Sequence, residues 1–266
     1  MRRDTRTARW ARRMTGPMAA LLGATVLLGG CGAVKEELAE VTAKQTLLES
    51  VPDGSEGPFR FSGKDVTGDV SGSVDPAAKA LDLKTSIKDP EHGFSTHIAF
   101  RVVADEAWTK ISFTETKGLT GLPKLPNKWL KLDPSKFTDA DSMPTYEGAD
   151  QGNAGPLVEA ATTVNDDGAG KYSGTIDLTS GEAAKVLEAE QMTALGDAAK
   201  QVPFTAVVGD DKNLASLTLA VPAAGSAKAF SYVVNYKDYG SAPKVTAPTA
   251  AQAQKAPALA YELLNG

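Results

Sequence analysis

Apolar residues recur along the chain first with a helical period and then with an alternating one. Leu38, Val41, Leu47 and Leu48 fall on a helical period between Lys35 and Ser50, a stretch free of Gly and Pro, and predict a first helix there. After the turn at Pro52-Asp53-Gly54 the period becomes two, in Phe59-Arg60-Phe61, in Val66, Val70 and Val74, and in Leu81 to Ile87. Ile98, Phe100 and Val102 then share one face of a strand, and Ile111 and Phe113 one face of the next, with Asp105-Glu106 as the turn between them. The stretch from Thr116 to about Gly155 is irregular and marked by Pro123, Pro126, Pro134 and Pro144, a composition that predicts a covering or functional loop.

Alternation resumes at Lys171 to Leu178, after a turn expected at Asn165 to Gly168. Thr179-Ser180-Gly181-Glu182 has capping-box spacing and predicts a helix over about 181–200, carrying Val186, Leu187, Met192 and Leu195 and stopped by Pro203. Three strands follow, at Phe204 to Val208, Leu214 to Val221 and Ala229 to Tyr236, the first two joined by the hairpin turn 209–213. Beyond Pro243 the chain is Ala- and Pro-rich and reads as a loosely held tail. Gly63, Gly68, Gly72 and Gly174 interrupt strand patterns, which strands tolerate where a sheet bends, so the sheet is expected to be strongly curved.

The N-terminus changes the picture. Six arginines precede an apolar run, Met18 to Leu28, that is too short to cross a bilayer, since a spanning helix needs about 20 apolar residues. The run ends in Leu28-Gly29-Gly30-Cys31, which resembles a bacterial lipobox. That resemblance implies export, by Sec as the default route, and a diacylglycerol and acyl anchor on Cys31 at the outer side of the cell membrane. The expected layout is a lipoprotein signal peptide over 1–30, an acylated tether and first helix over 31–55, a curved sheet with a helical lid over 56–248 forming one domain with that helix, and a flexible tail over 249–266. Cys31 is the single cysteine, so once acylated the chain has no thiol for a disulfide or a metal. The remaining 236 residues carry a net charge of −10 with no basic cluster evident in the sequence, which disfavours nucleic acid and anionic bilayers as partners.

Chemistry is sparse. The chain has two histidines, His92 and His97, no G-x-S-x-G elbow, no phosphate-cradling glycine loop and no H-E-x-x-H. The paired aspartates Asp139/Asp141, Asp166/Asp167 and Asp210/Asp211 lack the spacing that converges oxygens on calcium, and read as solvated turn residues. No catalytic set, cofactor site or metal site is expected. Phe100, Val102, Ile111, Phe113, Leu217, Leu219, Phe230, Tyr232 and Val234 instead predict one apolar sheet face that helices must cover. Whether the cover is tight or leaves a cavity is not decided by periodicity, because core-lining and cavity-lining residues are chemically alike.

The order of these features resembles a known family. A lipobox cysteine, a helix, a run of strands, Trp129-Leu130-Lys131-Leu132-Asp133-Pro134-Ser135-Lys136, Tyr172 to Leu178, Val202 to Val208 and Tyr236-Lys237-Asp238-Tyr239-Gly240 are together similar to actinobacterial lipoproteins of the LppX, LprA, LprF and LprG type. These share a fold with the lipoprotein-sorting proteins LolA and LolB. The resemblance, over most of residues 35–248, implies an α+β, mainly antiparallel fold: a half-open β-barrel with helices over its concave face and an apolar cavity that holds acyl chains. It implies binding, and transfer between membrane and outer envelope, of a lipid or lipoglycan, with no bond made or broken. Candidate cavity residues are Phe100, Val102, Ile111, Phe113, Leu219, Phe230 and Tyr232 on the sheet and Leu187, Met192 and Leu195 on the second helix. The competing expectation is a non-catalytic surface lipoprotein that binds a protein or senses an apolar signal with a solid core.

Overall fold

The computed structural model describes residues 31–64, 68–139, 142–225 and 228–265. The export segment expected at residues 1–30, the side chain of Cys31 and Val66 lie outside the described residues. In chain order the elements are α1 (Cys31–Glu49), β1 (Phe59–Lys64), β2 (Asp69–Asp75), β3 (Ala80–Lys88), β4 (Ser95–Val103), β5 (Glu106–Thr114), β6 (Trp129–Lys131), α2 (Ala154–Glu159), β7 (Ala161–Gly168), β8 (Lys171–Ile176), α3 (Ala189–Leu195), β9 (Val202–Val208), β10 (Leu214–Val221), β11 (Phe230–Lys237), β12 (Ala253–Lys255) and α4 (Ala258–Asn265).

All twelve strands join one sheet in the order β12-β6-β5-β4-β3-β2-β1-β11-β10-β9-β8-β7. Neighbours are antiparallel throughout except β12 on β6. The sheet is open, because its two edge strands, β12 and β7, do not pair with each other. The fold is thus α+β with a large, mainly antiparallel sheet. Hairpin connections run outward from β1 through β5, and β11 returns to lie beside β1 and bind the two meanders together.

Alternation places the apolar residues on one face. A single register line crosses nine strands through Ile111, Ile98, Thr85, Val70, Gly63, Val234, Leu217, Ala206 and Tyr172. Because successive side chains point to opposite faces, all nine sheet residues expected on the apolar face share it. Gly72 illustrates how the face is packed. A Cβ there would stand 2.6 Å from the Phe61 ring and 2.0 Å from the Asp82 carbonyl oxygen, so the missing side chain lets the ring of the facing residue lie down across the neighbouring strand. Gly174 does the same for Phe204.

The sheet's edges are managed by different means. At β7, the carboxylate of Glu40 accepts from the Val164 backbone N–H (3.1 Å) and Lys44 donates to the Ala161 carbonyl (2.7 Å), so α1 satisfies backbone groups that an edge strand leaves bare, and Lys44 also caps the Glu159 carbonyl at the end of α2 (2.9 Å). Leu47, with no exposed surface, anchors that helix in the core. At the other edge the C-terminal segment pairs with β6, and the tail beyond it is packed, correcting the expectation of a loosely held 249–266. Tyr261 is buried, its hydroxyl accepts from the Asp133 N–H (2.9 Å), its ring meets Phe137 edge-on at 5.7 Å, and Asn265 bonds to both Thr138 and Lys136. Composition misled here because a short Ala-Leu-Ala-Tyr-Glu-Leu-Leu helix is small and its anchor is a single tyrosine.

Two further expectations are corrected. Residues 165–168 continue β7, and the turn comes later, at Ala169 and Gly170 with positive φ. The helix expected over 181–200 is broken into a 3-10 turn at Glu182–Val186, α3, and a second 3-10 turn at Gly196–Gln201. Leu187 is extended (φ −119°, ψ 141°) and Gly196 has φ 52°, which ends each piece. The cap lies at Glu188, whose N–H donates to the Gln191 side chain (3.0 Å), and Thr179 instead bonds to Asp177.

Candidate functional site

Cover on the apolar face is uneven. Over β8 to β11 it is tight: Leu217, Leu219, Phe204, Ile176 and Val202 are each no more than 2% exposed. The row Phe59, Val74, Leu81, Val102, Ala107 is also buried. Toward the other end of β3, β4 and β5 the cover stops, leaving Ile98, Phe100 and Phe113 half-buried and Ile87 45% exposed. Phe94 lies beside them, edge-on to Phe113 at 6.0 Å. These residues form an apolar shelf outside the main core.

A clasp bounds the shelf on one side. Tyr236 donates its hydroxyl proton to Asp150 and accepts from the Gly152 N–H (3.2 Å), while Tyr232 donates to the Gly152 carbonyl (2.9 Å). The Asp150 carboxylate also accepts from the Gly155 N–H (2.8 Å). Gly152 is pressed so closely on β11 that a Cβ there would be 2.2 Å from Val234, so only glycine permits the contact. Burial, and then the adjacent Asp150 carboxylate, push the Tyr236 hydroxyl well above the usual tyrosine range, so it stays protonated and remains a donor.

Beneath the clasp is a gap of about 290 Å³ between Phe61, Val70, Thr85 and Tyr232 on the sheet and Gln151, Gly152, Asn153, Lys185, Val186 and Glu188 above. On the far side of the shelf, Ile111 and Phe113 line a second cavity of about 850 Å³ with Leu119, Leu122, Leu125 and the prolines of the 116–127 loop. The register line joins them, since Val70 and Thr85 border the gap, Ile98 lies on the shelf and Ile111 borders the second cavity. The result is a half-open trough in which two partly covered spaces, each lined by polar as well as apolar groups, flank the open apolar shelf. Ligand pockets usually occupy about 300–1,000 Å³, so the clasp gap alone is at the lower bound and the second cavity alone is within range.

Of the candidate cavity residues, Ile111 and Phe113 line the larger cavity, Tyr232 lines the gap, and Phe100 lies on the shelf. Val102 and Leu219 are core residues at 1% and 0% exposure. Phe230 packs half-buried on the core, as does Met192. Leu187 and Leu195 are buried with the core and line none of these spaces; the neighbour of Leu187, Val186, borders the gap instead. Sequence reasoning missed Ile87, Ile98 and the 119–127 leucines. Their signal was present, as alternation in β3 and β4 and as a Leu-x-x-Leu-x-x-Leu run among prolines, but nothing in it marked which apolar residues lie uncovered.

The polar inventory offers no catalytic geometry at this site. His92 bonds to Asp89 in a surface turn (3.1 Å), and His97 to Thr114 (2.7 Å) on the opposite face. Among the described residues no group of three or more His, Asp or Glu side chains is placed to hold a metal ion, and no helix is long and apolar enough to cross a membrane. No protein-family model matches the chain, and no curated protein sequence matches it significantly.

Proposed function

We propose that this protein is an extracytoplasmic lipoprotein, anchored through acylated Cys31, that holds acyl chains of a lipid or lipoglycan in the trough between the sheet and its cover. The observation that carries the reading is the shelf: Ile87, Ile98, Phe100 and Phe113 are apolar, adjacent and partly exposed, whereas Val70, Leu83, Phe230 and Tyr232 on the same face pack against the core. A face of this kind costs free energy in water, and each CH2 laid against it gains about 0.8 kcal/mol. In the same reading the open sheet is a LolA-like half-barrel, with the clasp, the 182–201 segment and the 116–127 loop as its lid, and ligand passes in and out without covalent chemistry. Export by Sec and membrane attachment belong to the proposal as the lipobox implies them. The sealed β8 to β11 region supports the second reading, a protein-binding or sensory module with a solid core.

Native mass spectrometry with organic extraction separates the two. Protein purified from a phospholipid-rich host carries stoichiometric lipid, and Phe100→Asp or Phe113→Asp releases it while leaving the protein folded. A bare mass that takes up no added lipid rejects the carrier reading in favour of the module. Loss of palmitate labelling and of membrane association in Cys31→Ala tests the anchor separately.

A further inference from the structure

The face of the sheet opposite the trough assembles charge that is dispersed in the sequence. Lys64, Lys84 and Lys110 lie in strands β1, β3 and β5, 20 and 26 residues apart along the chain. Lys84 and Lys110 flank Ala99 across β4, and all three line a groove of about 770 Å³. A second groove of about 460 Å³ adjoins it, walled by residues 243–246 of the C-terminal segment, and adds Arg60, Arg101, Lys237 and Lys244. The two share Ser62, Ser71 and Lys84.

The acids present do not cancel this charge. Asp82 is engaged by Arg101, whose Nε donates to it at 3.0 Å and whose guanidinium also donates to the Thr246 carbonyl (3.3 Å), and Arg60 pairs with Asp238 at 3.5 Å. Asp69 is the one carboxylate lining the larger groove. Lys64, Lys84, Lys237 and Lys244 are exposed. The whole arrangement stands in a chain that is otherwise strongly acidic after Cys31. Ser62, Ser71, Ser86 and Ser112 add hydroxyls suited to oxyanions.

We propose that this groove binds a compact polyanion bearing phosphate groups. Lysine acts there as a point charge for phosphate and the serines as hydrogen-bond donors. Concavity favours a discrete anion over a flat bilayer surface. Bases would need aromatic platforms, and Trp129 at the groove's end is already covered by Arg101 (4.6 Å to the ring centre) and Lys110 (5.0 Å). The site is on the other face from Phe100 and does not depend on the lipid reading.

Calorimetric titration of the full chain with sodium tripolyphosphate at low ionic strength tests it. Saturable binding is expected, weakened at least tenfold by Lys84→Glu and changed less than twofold by Lys212→Glu, which reverses the same charge in the distant β9–β10 hairpin. Phosphatidylglycerol vesicles distinguish the source: sedimentation with them that tripolyphosphate competes away and Lys84→Glu abolishes assigns the phosphate to a lipid headgroup, and its absence assigns it to a free oligoanion. No binding, equal loss in both variants, or tighter binding of a single-stranded oligonucleotide through Lys84 overturns the proposal.

Discussion

Two stretches of one register line behave differently. Val234, Leu217 and Ala206 are sealed at 2%, 0% and 2% exposure, whereas Val70, Thr85 and Ile98, a few strands away on the same line, are half open. Strand alternation is the same in both. The difference comes from what lies above: the 182–201 segment and the 150–160 clasp press on the first stretch, stand off Val70 and Thr85 across the gap, and end before Ile98. Where an apolar face is covered is therefore decided by connecting segments, and the strands decide only which face it is.

The largest expected effect breaks the sealed stretch. Phe204→Ala should cost about 3–5 kcal/mol by the loss of a buried ring and the cavity left behind, read as a shift in the urea midpoint. Phe100→Ala on the shelf should cost under about 1 kcal/mol yet lower acyl-chain uptake severalfold in a fluorescent fatty-acid assay. Equal stability losses at the two positions would erase the distinction. Gly72→Ala should cost about 1–3 kcal/mol, because the new methyl meets the Asp82 carbonyl and the Phe61 ring and one of them must move. A neutral thermal melt would refute that account of the glycine.

Tyr236→Phe sharpens the boundary between the stretches. Removing the hydroxyl unpins Asp150 and Gly152 and should cost about 1–2 kcal/mol, with faster amide exchange at Gly152 and Gly155 and unchanged exchange in β9 and β10. Uniform acceleration would show that the clasp is no local device. The smallest effect is a pH dependence at the sealed end. Side-chain and backbone hydrogen bonds from Thr179 hold the Asp177 carboxyl below the ordinary carboxylate range. Its stabilising contribution is complete above about pH 4, the value in the unfolded chain, and disappears as pH falls through the lower folded value. Wild type should therefore lose slightly more stability than Asp177→Asn between pH 5 and 2, followed by chemical denaturation.

Much of this arrangement was legible in the residues. Period-two runs located β1 to β5 and β8 to β11 and placed Phe100, Ile111, Leu219 and Tyr232 on one face, because alternation is a local property. β7 was obscured because Asn165, Asp166, Asp167 and Gly168 are turn formers that here extend an edge strand. The break at Leu187 was hidden because its extended backbone carries no local signal, and Val186 and Leu187 bury against a core that only the whole fold assembles. The cationic groove was hidden for a related reason: lysines far apart in sequence become neighbours only through strand register. Cover and charge clustering are tertiary properties, and neither has a period.

The junction of β1 with β11 also dictates a timetable. Phe59–Lys64 must wait for Phe230–Lys237 before either meander can be joined, so the closing contact spans most of the chain and is reached late, after a long search paid in loop entropy. Until residue 237 has emerged, β1 presents a bare strand edge with Phe59 and Phe61 beside it, and a chain interrupted before that point has no internal partner to cover them.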